Sequence, residues 1–291
     1  TGANFEKSFA SILDRLSKKA VRFHLPIGNE DKFEGVVDLL QNKAVRFEGD
    51  KGEKVIVTDN IPEDMKADVA KYRGELIEAI VANDDAMMTA YLDGVEPSLA
   101  ELKRVLRIAV IKNEIFPVLA GTALKNKGVQ LVLDAVVDYL PSPEDMPAMH
   151  AINPDTDEDV TITANDNEPL SALAFKVASD PFVGQLIFFR VYSGTLTAGS
   201  YVYNPRTRNK ERVGRIVRMH ANDREEVKKV FAGEIAAAVG LKEAITSDTL
   251  CEPEHPIALD RIVFPEPVIS MRIEPKTKAD QERMGMALSR L

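Results

Sequence analysis

The 291-residue sequence predicts a multidomain protein, α/β in its first half and all-β in its second. Three observations carry this. Helical stretches with apolar residues at spacings of three and four alternate with short β-rich runs as far as Leu140. The Pro-rich stretch Pro141 to Pro147 then marks a boundary. Beyond it, strands recur every 10 to 15 residues or so, separated by turn signals, as in a small barrel or sandwich.

The elements follow in order. Phe5, Phe9, Ile12, Leu13 and Leu16 share one face of an opening helix. Val21 to Gly28 and Phe33 to Leu40 read as strands, and Lys43 to Val57 as further strands around the polar turn Glu48 to Glu53. Pro62 opens a long helix reaching Ala82, because a proline in the first turn loses no needed N–H. Shorter helices are expected over Asp84 to Leu92 and Ser98 to Lys112. A buried strand, Ile115 to Ala120, leads through a Gly-led loop into a helix from Gly128 to Leu140. In the second half Leu173 to Val177, Leu186 to Tyr192, Tyr201 to Tyr203, Arg212 to Met219 and Glu234 to Gly240 are the strand candidates. The run from Phe264 to Pro267 is a second linker, followed by a strand and a helix that Thr277 and Asp280 cap and that runs to Leu291 with no stop signal. No initiator Met precedes Thr1, so both ends read as cuts within a longer protein.

Composition excludes several classes. The net charge of −9 argues against non-specific coating of nucleic acid, DNA included. The single cysteine, Cys251, cannot form an internal disulfide and reads as a packed thiol. No apolar run nears the roughly 20 residues that span a bilayer, so no membrane partner is expected and the location is expected to be cytoplasmic. The four histidines are scattered, with no metal-ligand spacing. No G-x-x-x-x-G-K-[ST], G-x-G-x-x-G or G-x-S-x-G run occurs, so no catalytic residue is assigned.

Two stretches could carry binding. G-T-A-L-K-N-K-G, Gly121 to Gly128, lies at the carboxyl end of a strand, where α/β sheets bind ligands through backbone N–H groups. Read from the residues alone, a plain strand-to-helix turn is the better account of this stretch. The second stretch is Arg206, Arg208, Lys210, Arg212, Arg215 and Arg218, whose alternate spacing from 206 to 212 would set four cations on one side of an extended strand. From Arg206 to Lys229 there are nine basic and four acidic residues. Such a patch could meet RNA phosphates. Equally, it could be a solvated hairpin edge protected by charge against strand pairing.

Seven strings in one order resemble bacterial elongation factor G, a ribosomal translocase GTPase family. They are G-T-A-L-K-N-K-G-V from Gly121, D-Y-L-P-S-P from Asp138, F-K-V-A-S-D-P-F-V-G from Phe175 and F-R-V-Y-S-G from Phe189. G-R-I-V-R-M-H-A-N from Gly214, F-P-E-P-V-I-S from Phe264 and E-P-K-T-K-A-D-Q-E from Glu274 complete the set. The resemblance spans the chain, weakest from about Arg46 to Ala100. It implies a partial P-loop-type α/β GTP-binding domain over 1–140, with a family-specific α+β insert at about 21–97. A translation-factor β-barrel over 141–264 and the start of a ferredoxin-like α+β domain over 265–291 would follow. Gly121, Thr122, Ala123, Leu124 and Lys125 would then be the guanine-facing loop. GTP or GDP and Mg²⁺ would be cofactors of the intact protein, with none expected for this fragment, because the phosphate loop, both switches and the Asn-Lys-x-Asp motif of the family precede the position of Thr1. The resemblance also implies ribosomal partners: small-subunit rRNA for the barrel's basic stretch, and the large-subunit stalk protein for Glu75, Glu78 and Asp85 on the insert. The fragment itself should not hydrolyse GTP. A ribosomal-protection or release-type GTPase shares the barrel, but the Glu274 to Glu282 stretch and the insert favour elongation factor G. A non-catalytic ribosome-binding module would explain the missing phosphate loop.

Overall fold

A computed structural model describes residues 2–49, 51–180, 183–221 and 223–288. Asp50 of the first polar turn, Pro181 and Phe182 of the D-P-F-V-G turn, Asn222, and the final run to Leu291 lie outside the described residues. The chain divides into two compact units, Thr1–Pro141 and Ser142–Leu291.

In the first unit, helix α1 (Phe5–Arg15) begins where the Asn4 side chain accepts from Lys7 N. Strands β1 (Ala20–Arg22), β2 (His24–Ile27), β3 (Gly35–Asp38), β4 (Lys43–Glu48) and β5 (Lys54–Thr58) follow. The last four form an antiparallel meander in order β2-β3-β4-β5. Pro26 is tolerated because β2 is an edge strand, where a missing N–H breaks no ladder. Gly35 lets β4 approach: a Cβ there would sit 2.0 Å from the Val45 carbonyl oxygen. A single helical turn, Glu63–Met65, leads into α2 (Lys66–Val81), which is followed by α3 (Asp85–Leu92) and α4 (Leu99–Ile111). Ser98 and Glu101 make reciprocal capping bonds that fix where α4 starts. The core joins Leu76 and Ile80 of α2 to Leu102 and Leu106 of α4, to Leu25 and Val37 of the sheet and to Leu39 in the turn after β3. Arg22 pins α1 to this body. Its guanidinium lies 4.1 Å from the ring centres of both Phe9 and Tyr72, and it pairs with Glu6 at 2.6 Å.

Among the described strands β6 (Phe116–Val118) pairs in parallel with β1 alone, and α5 (Val129–Tyr139) follows it. The strand expected to be buried is only half so: Ile115 and Ala120 are buried, but Phe116 is exposed. The reason is topological, since no strand among those described covers the other edge of β6. Helix α5 shows the same openness, with Val137 78% exposed and Leu133 and Val136 also outside.

The second unit opens with a three-stranded sheet, β19-β7-β8, in which β7 (Met149–Ile152) and β8 (Asp159–Ile162) form a hairpin. Then come β9 (Ser171–Asp180), β10 (Gly184–Ser193), β11 (Leu196–Thr197), β12 (Tyr201–Asn204), β13 (Asn209–Arg212), β14 (Arg215–His220), β15 (Asp223–Val227), β16 (Lys229–Val230), β17 (Ile235–Val239), β18 (Thr249–Cys251) and β19 (Ala258–Leu259). Eight of them run in the order β13-β12-β18-β9-β10-β17-β14-β15. The sheet curls on itself around one interior, with Val213 N donating to Ser200 O and Gly214 N to Val239 O at the corner. A barrel results, not a sandwich. Two backbones cross at that corner, and a Cβ on Gly214 would lie 2.8 Å from the Val239 carbonyl oxygen.

Phe189 fills the barrel. It is fully buried, and its neighbours across the ladders are Ala236 on β17 and Ala174 on β9. A small residue on each side leaves room for one large ring. The sequence alternates accordingly, with Ile187, Phe189 and Val191 inward and Phe188, Arg190 and Tyr192 outward. Cys251 is buried as a packed thiol, and burial pushes its pKa up to about 11.

Past Leu259 the expected strand after Pro267 is absent among the described residues. Val268 is 95% exposed and nothing pairs with the stretch, so its backbone has no ladder to join. Helix α6 (Lys278–Leu288) forms behind the Thr277–Asp280 cap but buries no residue.

Ala236→Val should lower the barrel's unfolding free energy by about 1–3 kcal/mol through overpacking against Phe189. The exposed neighbour change Ile235→Val should cost under about 0.5 kcal/mol. Urea unfolding of both variants, followed by circular dichroism, measures the contrast.

Candidate functional site

The loop after β6 is a tight hairpin and not a simple turn into α5. Thr122 and Lys127 exchange backbone bonds, Thr122 N to Lys127 O at 2.8 Å and Lys127 N to Thr122 O at 3.1 Å. Asn126 closes it with φ 51 and donates to Ala123 O. Gly121 and Gly128 stand side by side at its base. A Cβ on Gly121 would meet Lys127 O at 2.8 Å, and Gly128 has φ 89, a region that favours glycine. The β4–β5 turn packs beside it, since a Cβ on Gly52 would lie 2.9 Å from Lys125 O. At the tip the N–H groups of Ala123, Leu124 and Lys125 have no partner among the described residues, and Leu124 is 96% exposed. Three free donors on a braced tip can receive a carbonyl oxygen at the edge of a flat heterocycle.

One buried group beside this loop escaped sequence analysis. His24, on β2, accepts at Nδ1 from Ala120 N at 3.4 Å, directly before the loop, and lies across the ladder from Asp38. Both side chains are buried. Burial lowers the His24 pKa against the opposing pull of Asp38, which keeps the ring neutral and able to accept. A lone histidine inside the apolar run H-L-P-I was the available signal.

The basic stretch is arranged otherwise than its spacing suggests. Arg206 and Arg208 lie in the turn between β12 and β13, where Arg208 has φ 58 and its N–H donates to Asn204 O. Only Lys210 and Arg212 share a strand face, so four cations do not line one extended strand. The chain reverses there because Asn204 Oδ1 accepts from Arg206 N and fixes the turn. Arg206 is structural: its Nε bonds Asp248 Oδ1 at 2.6 Å, and its Nη2 bonds Asp248 Oδ2 at 2.9 Å and Glu243 O at 2.8 Å. Arg218 pairs with Glu234 at 2.5 Å, and Arg215 and Lys210 lie 3.9 Å from Glu226 and Glu254. Among the described residues Arg208 has no ion-pair partner, and the Arg212 side chain donates only to the Gly199 carbonyl.

Glu78 on α2 and Asp85 at the start of α3 are exposed on either side of the α2–α3 turn. Glu75 differs, lying 3.7 Å from Arg22 as a second counter-charge to that guanidinium. Among the described residues no group of three or more His, Cys, Asp or Glu is placed to hold a metal ion. Among the described residues the loop thus offers backbone N–H donors and no cluster of carboxylate, His or Cys side chains placed for a metal ion.

Residues 184–251, from β10 through β18, match the family model for elongation factor Tu domain 2. The barrel is of translation-factor type. Over 99% of its length the chain also matches a crystal structure from Thermus thermophilus, with a TM-score of 0.77 and 24% identity, and it covers 40% of that longer chain. That likeness is one of fold. Among the described residues no helix is long and apolar enough to cross a membrane.

Within the translation-factor barrel the Arg206–Asp248 pair makes a pH prediction. Burial alone would raise the Asp248 pKa, but bonds from Arg206, Ile245 N and Asn204 outweigh it and hold the carboxyl below its ordinary value. A depressed folded pKa contributes stability that is complete above the unfolded carboxylate value of about 4 and is lost as pH falls through the folded value. Thermal unfolding scanned from about pH 7 to about pH 2 should show this loss, and Asp248→Asn should flatten it while lowering the barrel's midpoint at pH 7. An unchanged acid slope in the variant would contradict the assignment.

Proposed function

We propose that this chain is part of a GTP-dependent ribosomal translocase of the elongation factor G kind. The observation that carries the reading is the translation-factor barrel at 184–251, joined in one chain to a strand-end loop with three unused N–H groups. In this reading Ala123 and Leu124 offer their N–H groups to the guanine carbonyl oxygen, Thr122 and Lys125 flank the base, and the Gly121–Gly128 contact braces the loop. The intact protein uses GTP and Mg²⁺. No run in this sequence cradles phosphate, so hydrolysis is assigned to the longer protein and none to this chain, because phosphoryl transfer is catalysed by groups placed on the phosphates.

The barrel is proposed to dock on small-subunit rRNA through the cations that are least engaged within the unit, Arg208, Lys210, Arg212 and Arg215. Co-sedimentation with small ribosomal subunits over a salt series tests this. Affinity should fall linearly with salt on logarithmic axes, and alanine at all four positions should weaken it and flatten the slope by about one for each phosphate no longer neutralised. Binding unchanged by the quadruple variant would make the stretch a solvated edge. Arg206→Ala should instead lower barrel stability, since its contacts are internal.

The insert is proposed to meet the basic domain of the large-subunit stalk protein. A double Glu78→Lys and Asp85→Lys variant should lose about tenfold in affinity for that domain, the scale of one or two exposed charge pairs reversed. Isothermal titration measures it, and full affinity in the variant would remove the assignment.

A further inference from the structure

The outward face of β10 borders a cavity of about 530 Å³ that lies wholly within the second unit. Its walls are mainly Pro143, Met146, Met149, Ile162, Arg190 and Tyr192. The wall is built, not incidental. Ser142 and Asp145 cap one another, with Ser142 N to Asp145 Oδ2 at 2.7 Å, which holds the Pro143 turn in place. Pro143 presses on Gly233, where an added Cβ would lie 2.3 Å from the ring's Cγ, and Gly233 has φ 88. On the other side, Met149 and Tyr192 pack with the small core of Ala151, Ile162 and Leu259 beneath the β7–β8 hairpin.

The charge in this cavity is unbalanced. Arg190 is half-buried, its Nε is buried with no hydrogen-bond partner, and it makes no ion pair among the described residues. Its only described side-chain interaction is with the Tyr192 ring, 5.7 Å from the guanidinium carbon. The acid lining the same cavity, Glu144, is exposed to water. A partly desolvated guanidinium without a counter-ion is costly, and an anion that enters recovers that cost through charge-assisted bonds. The surrounding Met, Pro, Ile and Tyr surface favours an apolar, ring-bearing body, and the volume is that of a small-molecule site.

We propose that this cavity binds a small monoanionic amphiphile, its carboxylate or sulfonate on Arg190 and its flat apolar body between Tyr192 and the wall of Pro143, Met146 and Ile162. One guanidinium matches one negative charge. The site uses neither the loop at Gly121–Lys125 nor the basic stretch, so it is independent of the function proposed above.

The test uses the full chain and two probes that share an aromatic body. Anilinonaphthalene sulfonate carries the anion, and its uncharged parent N-phenylnaphthylamine does not. Fluorescence titration gives affinities, and backbone amide shifts at Thr163 and Gly233 locate the site. The sulfonate probe should shift both amides and bind at this site about tenfold more tightly than the neutral one, the worth of one charge-assisted bond. Arg190→Met should abolish that difference while leaving the neutral probe's affinity in place. Met146→Glu alters an exposed wall residue, so it leaves the fold intact, and it should repel the sulfonate. Equal affinities for the two probes at this site, amide shifts confined to other parts of the chain, or sulfonate affinity unchanged in both variants would each overturn the proposal.

Discussion

Phe189 and the two alanines beside it set the second unit. A ring that large can be fully enclosed only if the residues facing it across both ladders are small, and Ala174 and Ala236 are. The consequence is a register as well as a volume. Because side chains alternate along a strand, burying Phe189 sends Arg190 outward, and slipping β10 by one residue would put a guanidinium in the barrel and the ring in water. The same constraint turns Tyr192 outward, where it meets the β7–β8 layer. Packing inside the barrel thus decides which groups are available outside it.

The first unit answers to a different constraint, the pairing of parallel strands. Among the described strands β1 and β6 have only each other, so the strand that carries the loop is half-exposed and α5 turns valines and a leucine to solvent. The loop at its end holds its shape regardless. It is tied by the Thr122–Lys127 exchange, by the Gly121–Gly128 approach and by the neighbouring turn at Gly52, all of them local. Buried His24, neutral because burial outweighs the pull of Asp38, adds one acceptor beneath Ala120. The geometry of the tip is therefore independent of how the outer edge of β6 is covered.

What the sequence made legible was periodicity. The helix beginning at Ser98, the strands around the Glu48 to Glu53 turn and the outward–inward alternation of β10 all follow from local spacing and capping chemistry. What it concealed was partnership. The strand expected after Pro267 has the apolar residues for one, yet a strand needs a neighbour's N–H and C=O groups, and none is described there. Arg206 and Arg208 share the spacing of a strand face with Lys210 and Arg212. The reversal comes from Asn204, whose role as a turn-former depends on two bonds that no periodicity reveals. Barrel against sandwich was open for the same reason, since closure is decided at Val213 and Gly214 by contacts distant in sequence.

The excess of positive charge from Arg206 to Lys229 looks different once each cation is placed. Arg206 is bound to a buried carboxylate, and Arg218 to Glu234. β15 also brings Asp223, Glu225 and Glu226 alongside β14, with Glu225 directly across the ladder from Arg218. Opposite charges on adjacent strands stabilise the pairing and screen the field each would project. Arg208 at the hairpin tip and Arg212 on β13 are left free of ion pairs among the described residues. A sum over a stretch of sequence measures charge, whereas recognition depends on the charge that remains after the fold has used its share.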